Sequence, residues 1–263
     1  MLVVIKGAGD LASGIATRLY RSRFDIVMTD LPVPTAVRRT VAFSEAIRLG
    51  STDVEGIEAK RAESAEEVRE CIAKGIIPVV PDPEAKIIND LKPEVIVDAI
   101  LAKRNTGTHM DDAPLVIGVG PGFTAGVDCH AVIETKRGHT LGRVIREGSA
   151  IPNTGVPGNI GGQTIRRLIK APVDGVFHPE KKIGDLVKEG DRVANVDKVP
   201  VYAQTDGMIR GLLQDGVPVT KGLKSGDVDP RGSVIDYMTV SDKALAIGGG
   251  VLEAILGYAG DRL

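Results

Sequence analysis

The stretch Met1-Leu-Val-Val-Ile-Lys-Gly-Ala-Gly-Asp-Leu-Ala12 decides the fold class. Met1 to Lys6 is an apolar run of strand length, Gly7-Ala8-Gly9-Asp10 is a turn, and Leu11, Ala12, Ile15, Ala16 and Leu19 recur at helical spacing. Asp25 to Thr29 is a second short strand closed by Asp30, completing a β-α-β unit of about 30 residues. Strand, glycine turn and helix in that order predict a parallel sheet. Gly7, Gly9 and Ala12 match G-x-G-x-x-G/A where the helix begins, which would present its first N–H groups to a phosphate. Asp30 stands 21 residues beyond Gly9, where an acidic residue would accept hydrogen bonds from a ribose diol. The same small residues also suit close strand–helix packing, and the Asp10 carboxylate would have to face away from any pyrophosphate.

Working outward, Ala36 to Leu49 reads as helix and Asp53 to Arg61 as a small extended excursion. Ser64 as N-cap, with Glu67 three residues on, opens a helix with Val68, Cys71 and Ile72 on its inner face and Gly75 as its stop. Ile76 to Val80, Val95 to Ile100 and Leu115 to Val119 are apolar runs separated by helix-compatible segments, the pattern of a doubly wound parallel sheet. His130 to Thr135 and Leu141 to Arg146 flank Lys-Arg-Gly-His and suggest a hairpin, with a helix left open for the first run. The expectation is an α/β chain whose Rossmann-like parallel-sheet domain spans 1–168.

After Lys170 the sequence repeats at an offset of 32 residues: Ala171/Ala203, Asp174/Asp206, Gly175/Gly207, Gly184/Gly216, Val187/Val219 and Gly190/Gly222. Two interlocking hooked β units about a quasi-two-fold axis would produce this, so 169–226 is expected to be a small all-β barrel-sandwich hybrid domain, similar to biotinyl and lipoyl carriers. Lys198 falls in the connection between the halves, but there is no Met-Lys-Met and only four residues separate it from Ala203, which favours a rigid domain over a swinging arm. The segment 227–263 is expected to pack back on the first domain, with Lys243 to Tyr258 a strand or turn leading into a terminal helix.

Composition narrows the partners. Lys plus Arg number 33 against 35 Asp plus Glu, for a net charge of −2, without the basic excess of a nucleic-acid binder. Hydrophobic residues at 43% with 26% charged exclude a disordered chain, and no run approaches the roughly 18 apolar residues of a membrane span. The opening lacks the charged head of a signal peptide, so a cytoplasmic protein is expected, with Cys71 and Cys129 reduced. Gly at 32 residues is about 12% where average usage is near 7%, and such enrichment marks turns or backbone that approaches something closely.

Further candidate residues lie at strand ends. Gly118-Val-Gly120-Pro-Gly122 follows a strand and would share a crevice with the first glycine loop, although Pro121 alone could force a tight turn. The stretch Asp98 to Gly107 offers Lys103, Arg104 and Asn105 to an anion, and Arg38 with Arg39 could grip a phosphate. Asp128-Cys129-His130 sets a thiol beside an imidazole, suited to a reactive thiolate or a soft metal ligand pair. Against this, neighbouring side chains on a strand point to opposite faces, and no second ligand pair is visible, so no metal is assigned. No G-x-S-x-G, H-E-x-x-H, Walker loop or CxxC is present.

Lys6-Gly-Ala-Gly-Asp-Leu-Ala12, Ala36-Val-Arg-Arg-Thr-Val-Ala-Phe-Ser-Glu-Ala46, Gly118-Val-Gly-Pro-Gly-Phe-Thr-Ala-Gly-Val-Asp-Cys-His130, Pro152-Asn-Thr-Gly-Val-Pro-Gly158 and Lys221-Gly-Leu-Lys through Asp227-Val-Asp-Pro-Arg231 together resemble the YqeB family nearly end to end. The N-terminal part is also similar in kind to the Rossmann-like domain of XdhC maturation proteins. The resemblance implies an accessory protein that helps mature selenium-dependent molybdenum hydroxylases. Its partners would be the client hydroxylase and other maturation factors, with homo-oligomerisation left open. The cofactor would be a pterin-based molybdenum cofactor or a nucleotide, with Gly7, Gly9, Ala12, Asp30, Arg38, Lys103, Asn105, Gly118, Gly120 and Gly122 as binding candidates. The resemblance supplies no catalytic residues; residue chemistry makes Asp128, Cys129 and His130 the catalytic candidates, Cys129 carrying selenium and His130 a proton. Two other readings stay open: an NAD(P)-dependent oxidoreductase and a non-catalytic binding module.

Overall fold

In the computed structural model, which describes residues 1–155, 158 and 160–260, the opening run is β1 (Leu2–Lys6), followed by α1 (Asp10–Arg21) and β2 (Asp25–Thr29). Val3, Val4 and Ile5 are all fully buried, so both faces of β1 are covered; this is why the run is continuously apolar rather than alternating. Then come β3 (Ser51–Val54), β4 (Ile57–Arg61), β5 (Ile77–Val80), β6 (Val95–Asp98), β7 (Leu115–Val119), β8 (Thr124–Ala125), β9 (Ala131–Ile133), β10 (Val144–Ile145) and β11 (Gly148–Ser149). β8 and β11 form a separate antiparallel pair. The others build one nine-stranded sheet in the order β10-β9-β7-β6-β1-β2-β5-β4-β3. Its members from β9 to β4 are parallel, with β10 and β3 antiparallel at the edges. The chain is therefore mixed α/β with a large, mostly parallel sheet. From β1 it runs outward to β2 and β5, then returns to β6 on the other side of β1, so the strand order reverses between β1 and β6. That is where open parallel sheets form a crevice at their carboxyl ends.

Four further helices join the sheet: α2 (Glu45–Leu49), α3 (Ala65–Ala73), α4 (Ile88–Leu91) and α5 (Asp242–Gly260). Ser64 caps α3 through a bond from Glu67 N at 3.2 Å, and Val68 packs into a core with Val4, Val27, Ile96, Val116 and Val132. The helix expected over 36–49 is instead a short 3-10 turn at Arg39–Val41 followed by α2. Leu212 N donates to Val37 O at 2.7 Å and Arg39 Nε to Leu212 O at 2.8 Å, bonds that draw 35–41 away from a helix. The glycines at 248–250 make no break; α5 runs through them. A Cβ at Gly248 would stand 2.9 Å from Gly14 O, and one at Gly14 would stand 2.4 Å from the Ala244 Cβ, so α1 and α5 approach at backbone distance. Such contact offsets the roughly 1 kcal/mol that a helical glycine costs.

Contacts divide the chain into two units, one made of 1–34, 42–154 and the described residues from Val240 on, the other of 35–41 and the described residues of 155–239. The second is all-β: β12 (Leu168–Lys170), β13 (Gly175–Pro179), β14 (Leu186–Val187), β15 (Arg192–Val196), β16 (Val199–Tyr202), β17 (Gly207–Leu212), β18 (Val217–Val219) and β19 (Lys224–Asp229). They form two four-stranded sheets, β12-β19-β17-β14 and β16-β15-β13-β18.

The 32-residue offset reappears here as reciprocal bonding. Glu189 N donates to Asp206 Oδ1 at 2.7 Å, and Lys221 N to Asp174 Oδ1 at 2.6 Å. Gly190 N donates to Ala203 O and Gly222 N to Ala171 O; Gly184 N donates to Ile209 O and Gly216 N to Phe177 O. In each pair, adding 32 to one bond and exchanging the copies produces the other. Each copy therefore completes the other's ladders, and their side chains share one core that includes Phe177, Ile209, Val187, Val219, Val196 and Val228. The repeated glycines sit at positive φ, +101° and +80° at Gly184 and Gly216, a conformation L side chains rarely adopt.

Candidate functional site

The carboxyl ends of β1 and β6 lie side by side, with Lys6 in register with Asp98. Three loops meet at this rim. A Cβ at Gly7, where φ is +98°, would stand 2.9 Å from Ala99 O, so the first glycine loop rests on the segment leaving β6. That segment in turn touches the second glycine loop: a Cβ at Gly122 would stand 2.6 Å from Arg104 Cα, and one at Gly120 would be 3.5 Å from Leu101 Cδ2. Leu101 and Lys103 adopt left-handed conformations at φ 61° and 62°, and such strain clusters at ligand sites and switches.

The first loop is held from behind. Gly7 N donates to Thr29 O at 2.8 Å, Ala8 N to Asp30 Oδ2 at 2.7 Å and Leu31 N to Asp30 Oδ1 at 2.7 Å. Burial raises the Asp30 carboxyl above its usual range, while the two amide bonds pull it back. Ala8 O accepts from Ser44 N and from Ser13 Oγ. Gly9 is the N-cap of α1, extended at φ −70° and ψ −179°, with no side chain capping the helix. A Cβ there would meet nothing within 4 Å beyond its own neighbours. Ala12, by contrast, is buried in the core.

A buried polar chain runs beneath the rim. Lys6 Nζ donates to Thr108 Oγ1 at 2.5 Å, Thr108 Oγ1 donates to Asp98 Oδ2 at 2.6 Å, and Nζ lies 3.9 Å from that carboxylate. Asn105 Oδ1 accepts from Gly107 N and Thr108 N, while its Nδ2 donates to Thr108 O at 2.7 Å and to Asp128 Oδ1 at 3.4 Å. Asp128 Oδ2 accepts from Thr124 N at 2.7 Å. Asp128 and Asn105 are thus brought together with three residues, Lys6, Asp98 and Thr108, to which the sequence reading gave no site role. Their one sequence signal is a polar residue closing an apolar strand, at Lys6 and again at Asp98.

The other candidates fall elsewhere. Cys129 is fully buried among Val116, Phe123 and Val132, and its Sγ donates to Ala131 O at 3.3 Å. Burial pushes its thiol up to about 11, which keeps it protonated at neutral pH. His130 Nδ1 accepts from Val116 N at 3.0 Å, so thiol and imidazole turn to different backbone partners. Gly118 makes room for Phe123, whose Cγ would stand 2.5 Å from a Cβ. Lys103 is exposed on its loop. Arg38 belongs to the second unit, where its buried guanidinium donates to Thr239 O at 3.4 Å. Lys198 is exposed at the tip of a two-residue turn between the paired Val196 and Val199. Of the motif at 152–158, Val156 and Pro157 lie outside the described residues, as do 261–263 of the terminal segment. Among the described residues no group of three or more His, Cys, Asp or Glu could hold a metal ion, and no helix is long and apolar enough to cross a membrane.

No family model matches the sequence. The chain is 54% identical over 255 residues to the protein named Uncharacterized protein YqeB of Escherichia coli (strain K12), a match covering 97% of this chain and 47% of that protein. The chain thus spans about half the length of the curated relative it matches. Among solved structures it is similar to an aspartoacylase family protein from Mesorhizobium loti, with TM-score 0.29 and 12% identity over 86% of this chain and 84% of that one. It is also similar to a succinylglutamate desuccinylase/aspartoacylase from Rhodobacter sphaeroides, with TM-score 0.22 and 24% identity over 25% of this chain and 22% of that one. Likeness at these TM-scores carries no argument about this chain.

Proposed function

We propose that the protein is a cytoplasmic accessory factor that holds a phosphate-bearing cofactor in the crevice over β1 and β6. The observation that carries the reading is Gly9. It leaves the amino end of α1 without a side-chain cap, and open space where its own side chain would be, at the point where the strand order reverses. The phosphate would rest against the first N–H groups of α1, with the loop pre-set by Asp30 from behind. This donor set fits the phosphate of a pterin cofactor as well as that of a nucleotide. The motif resemblance supports the pterin-based molybdenum cofactor, with a selenium-dependent molybdenum hydroxylase as client and other maturation factors as partners.

In this reading the first unit is a Rossmann-like domain. The second is a barrel-sandwich hybrid whose reciprocal ladders make it a rigid surface for the client. The chemistry is holding and delivery, because the buried, protonated Cys129 is poorly placed to carry selenium as a thiolate. An NAD(P)-dependent oxidoreductase ranks second, because both Asp30 oxygens already accept backbone N–H groups instead of standing free for a ribose.

The test is native mass spectrometry with elemental analysis of the full chain, isolated anaerobically from cells making an active molybdenum hydroxylase. The expected result is a bound pterin phosphate with molybdenum, lost in Gly9→Asp, which sets a carboxylate where the phosphate would lie. Stoichiometric NAD(P) without molybdenum would move the assignment to the oxidoreductase. A wild-type protein carrying no small molecule would leave a binding module.

A further inference from the structure

The cofactor reading places a phosphate against backbone and makes no use of the buried Lys6 ammonium at the rim. Lys6 is 6% exposed and its Nζ reaches the loop that leaves β6. A lysine ammonium has three donors. One is met by Thr108 Oγ1 at 2.5 Å. Asp98 stands 3.9 Å away, beyond hydrogen-bond reach, with Oδ2 already accepting from the Thr108 hydroxyl and Oδ1 from Ile100 N. Two donors of a nearly dry ammonium therefore find no acceptor among the described residues. Burying a charge with unmet donors is costly unless an acceptor of opposite charge comes to it. The lysine closes β1, runs directly into Gly7-Ala8-Gly9, and has the reversal point of the sheet on its β6 side.

We infer that Lys6 reads the charge of the crevice ligand. Its two spare donors take oxygens of a phosphate-type oxyanion lying over the carboxyl ends of β1 and β6. Thr108 and Asp98 hold the ammonium in place for it. The inference rests on the cofactor reading for the ligand's position and adds to it the recognising residue and the class of group recognised, a tetrahedral oxyanion instead of a sugar or a base.

The experiment is calorimetric titration of the full chain with pyrophosphate and, separately, with sulfate. The variant is the double exchange Lys6→Met with Asp98→Asn, which removes both charges at nearly constant shape and strands neither. Pyrophosphate affinity is expected to fall roughly ten- to hundredfold, the loss of hydrogen bonds to a charged group. If the folded double variant binds pyrophosphate as tightly as wild type, the role of Lys6 is overturned and the cofactor reading survives. If wild type binds sulfate, loses it in the double variant and ignores pyrophosphate, the lysine site stands and the phosphate-bearing cofactor falls. Binding of neither anion overturns both. Should the double variant not fold, the lysine ammonium resonances of the wild type answer instead: one buried signal is expected to shift with pyrophosphate, and an unmoved set refutes the role.

Discussion

Gly7-Ala8-Gly9 and Gly118-Val-Gly120-Pro-Gly122 each follow a parallel strand of one sheet and read almost alike, yet Gly9 is there for the opposite reason to the glycines of the second loop. At Gly9 a side chain would meet open space. At Gly118, Gly120 and Gly122 it would meet Phe123 Cγ at 2.5 Å, Thr135 Oγ1 at 2.9 Å and Arg104 Cα at 2.6 Å. Gly7 is packed as well, its Cβ position 2.9 Å from Ala99 O, so in the first loop it is Gly9 that keeps room beside a helix start, whereas the second loop gives its room to its own protein. Glycine spacing records that a side chain is excluded, and only the neighbours say whether a ligand or the chain itself excludes it.

The sharpest way to break this contrast is Gly122→Ala. Backbone fills the site and φ is +114°, so neither a rotamer change nor a small shift relieves the clash. A loss of about 3 kcal/mol or more in urea unfolding is expected. A loss under about 1 kcal/mol would mean that the second loop is no more self-packed than the first.

Cys129, just beyond the second loop, extends the contrast to pH. Its thiol is raised to about 11 in the fold, against an ordinary value near 8.5 in the unfolded chain. A raised value favours the protonated form, so its contribution is intact below about pH 8.5 and is lost as pH climbs towards about 11, on the order of 3 kcal/mol. Cys129→Ala should flatten the stability profile over that window. Native protein at neutral pH should also leave Cys129 unmodified by thiol reagents until it is unfolded; prompt labelling would place the thiol at an accessible surface.

What could be read in advance follows from which contacts are local. The β1-α1-β2 unit was legible because a sheet covered on both faces leaves unbroken apolar runs, and because the glycine turn and helix follow within a few residues. The all-β repeat was legible because its reciprocal bonds require Gly and Asp at matching positions in both copies. The segment 36–49 was not, since its shape is fixed by bonds to Leu212, far along the chain. Gly248-Gly-Gly250 read as part of a strand or turn before the terminal helix because the backbone of Gly14 and Gly142, which approaches Gly248 and Gly250, is distant in sequence. At the site, Gly7 and Gly9 were visible, whereas Lys6 meets Thr108 across 102 positions and no local pattern joins them.

A milder prediction compares the two copies of the β repeat. Asp174→Ala and Asp206→Ala each remove the carboxylate that accepts one backbone N–H of the same reciprocal pair, at 2.6 and 2.7 Å. Each should cost about 1 kcal/mol in urea unfolding, and the two costs should agree within a few tenths. A clear inequality would show that the copies have diverged in how they carry the unit's stability, whatever their shared geometry.

The smallest stability effect belongs to the first loop and bears most on function. Gly9 is extended at φ −70°, a conformation any residue adopts, and it occupies an N-cap, where Asp is favoured over Gly by only a few tenths of a kcal/mol. Gly9→Asp should therefore unfold at the wild-type urea midpoint or slightly above it, within about 0.5 kcal/mol. The same carboxylate would accept the N–H groups of α1 that a phosphate needs and would repel the phosphate itself, so pyrophosphate binding should vanish from a protein that is no less stable. Gly122→Ala is expected to do the reverse, losing stability before anything else. If Gly9→Asp proved as damaging to the fold as Gly122→Ala, the space at Gly9 would be serving the chain's own packing and the two loops would be alike after all.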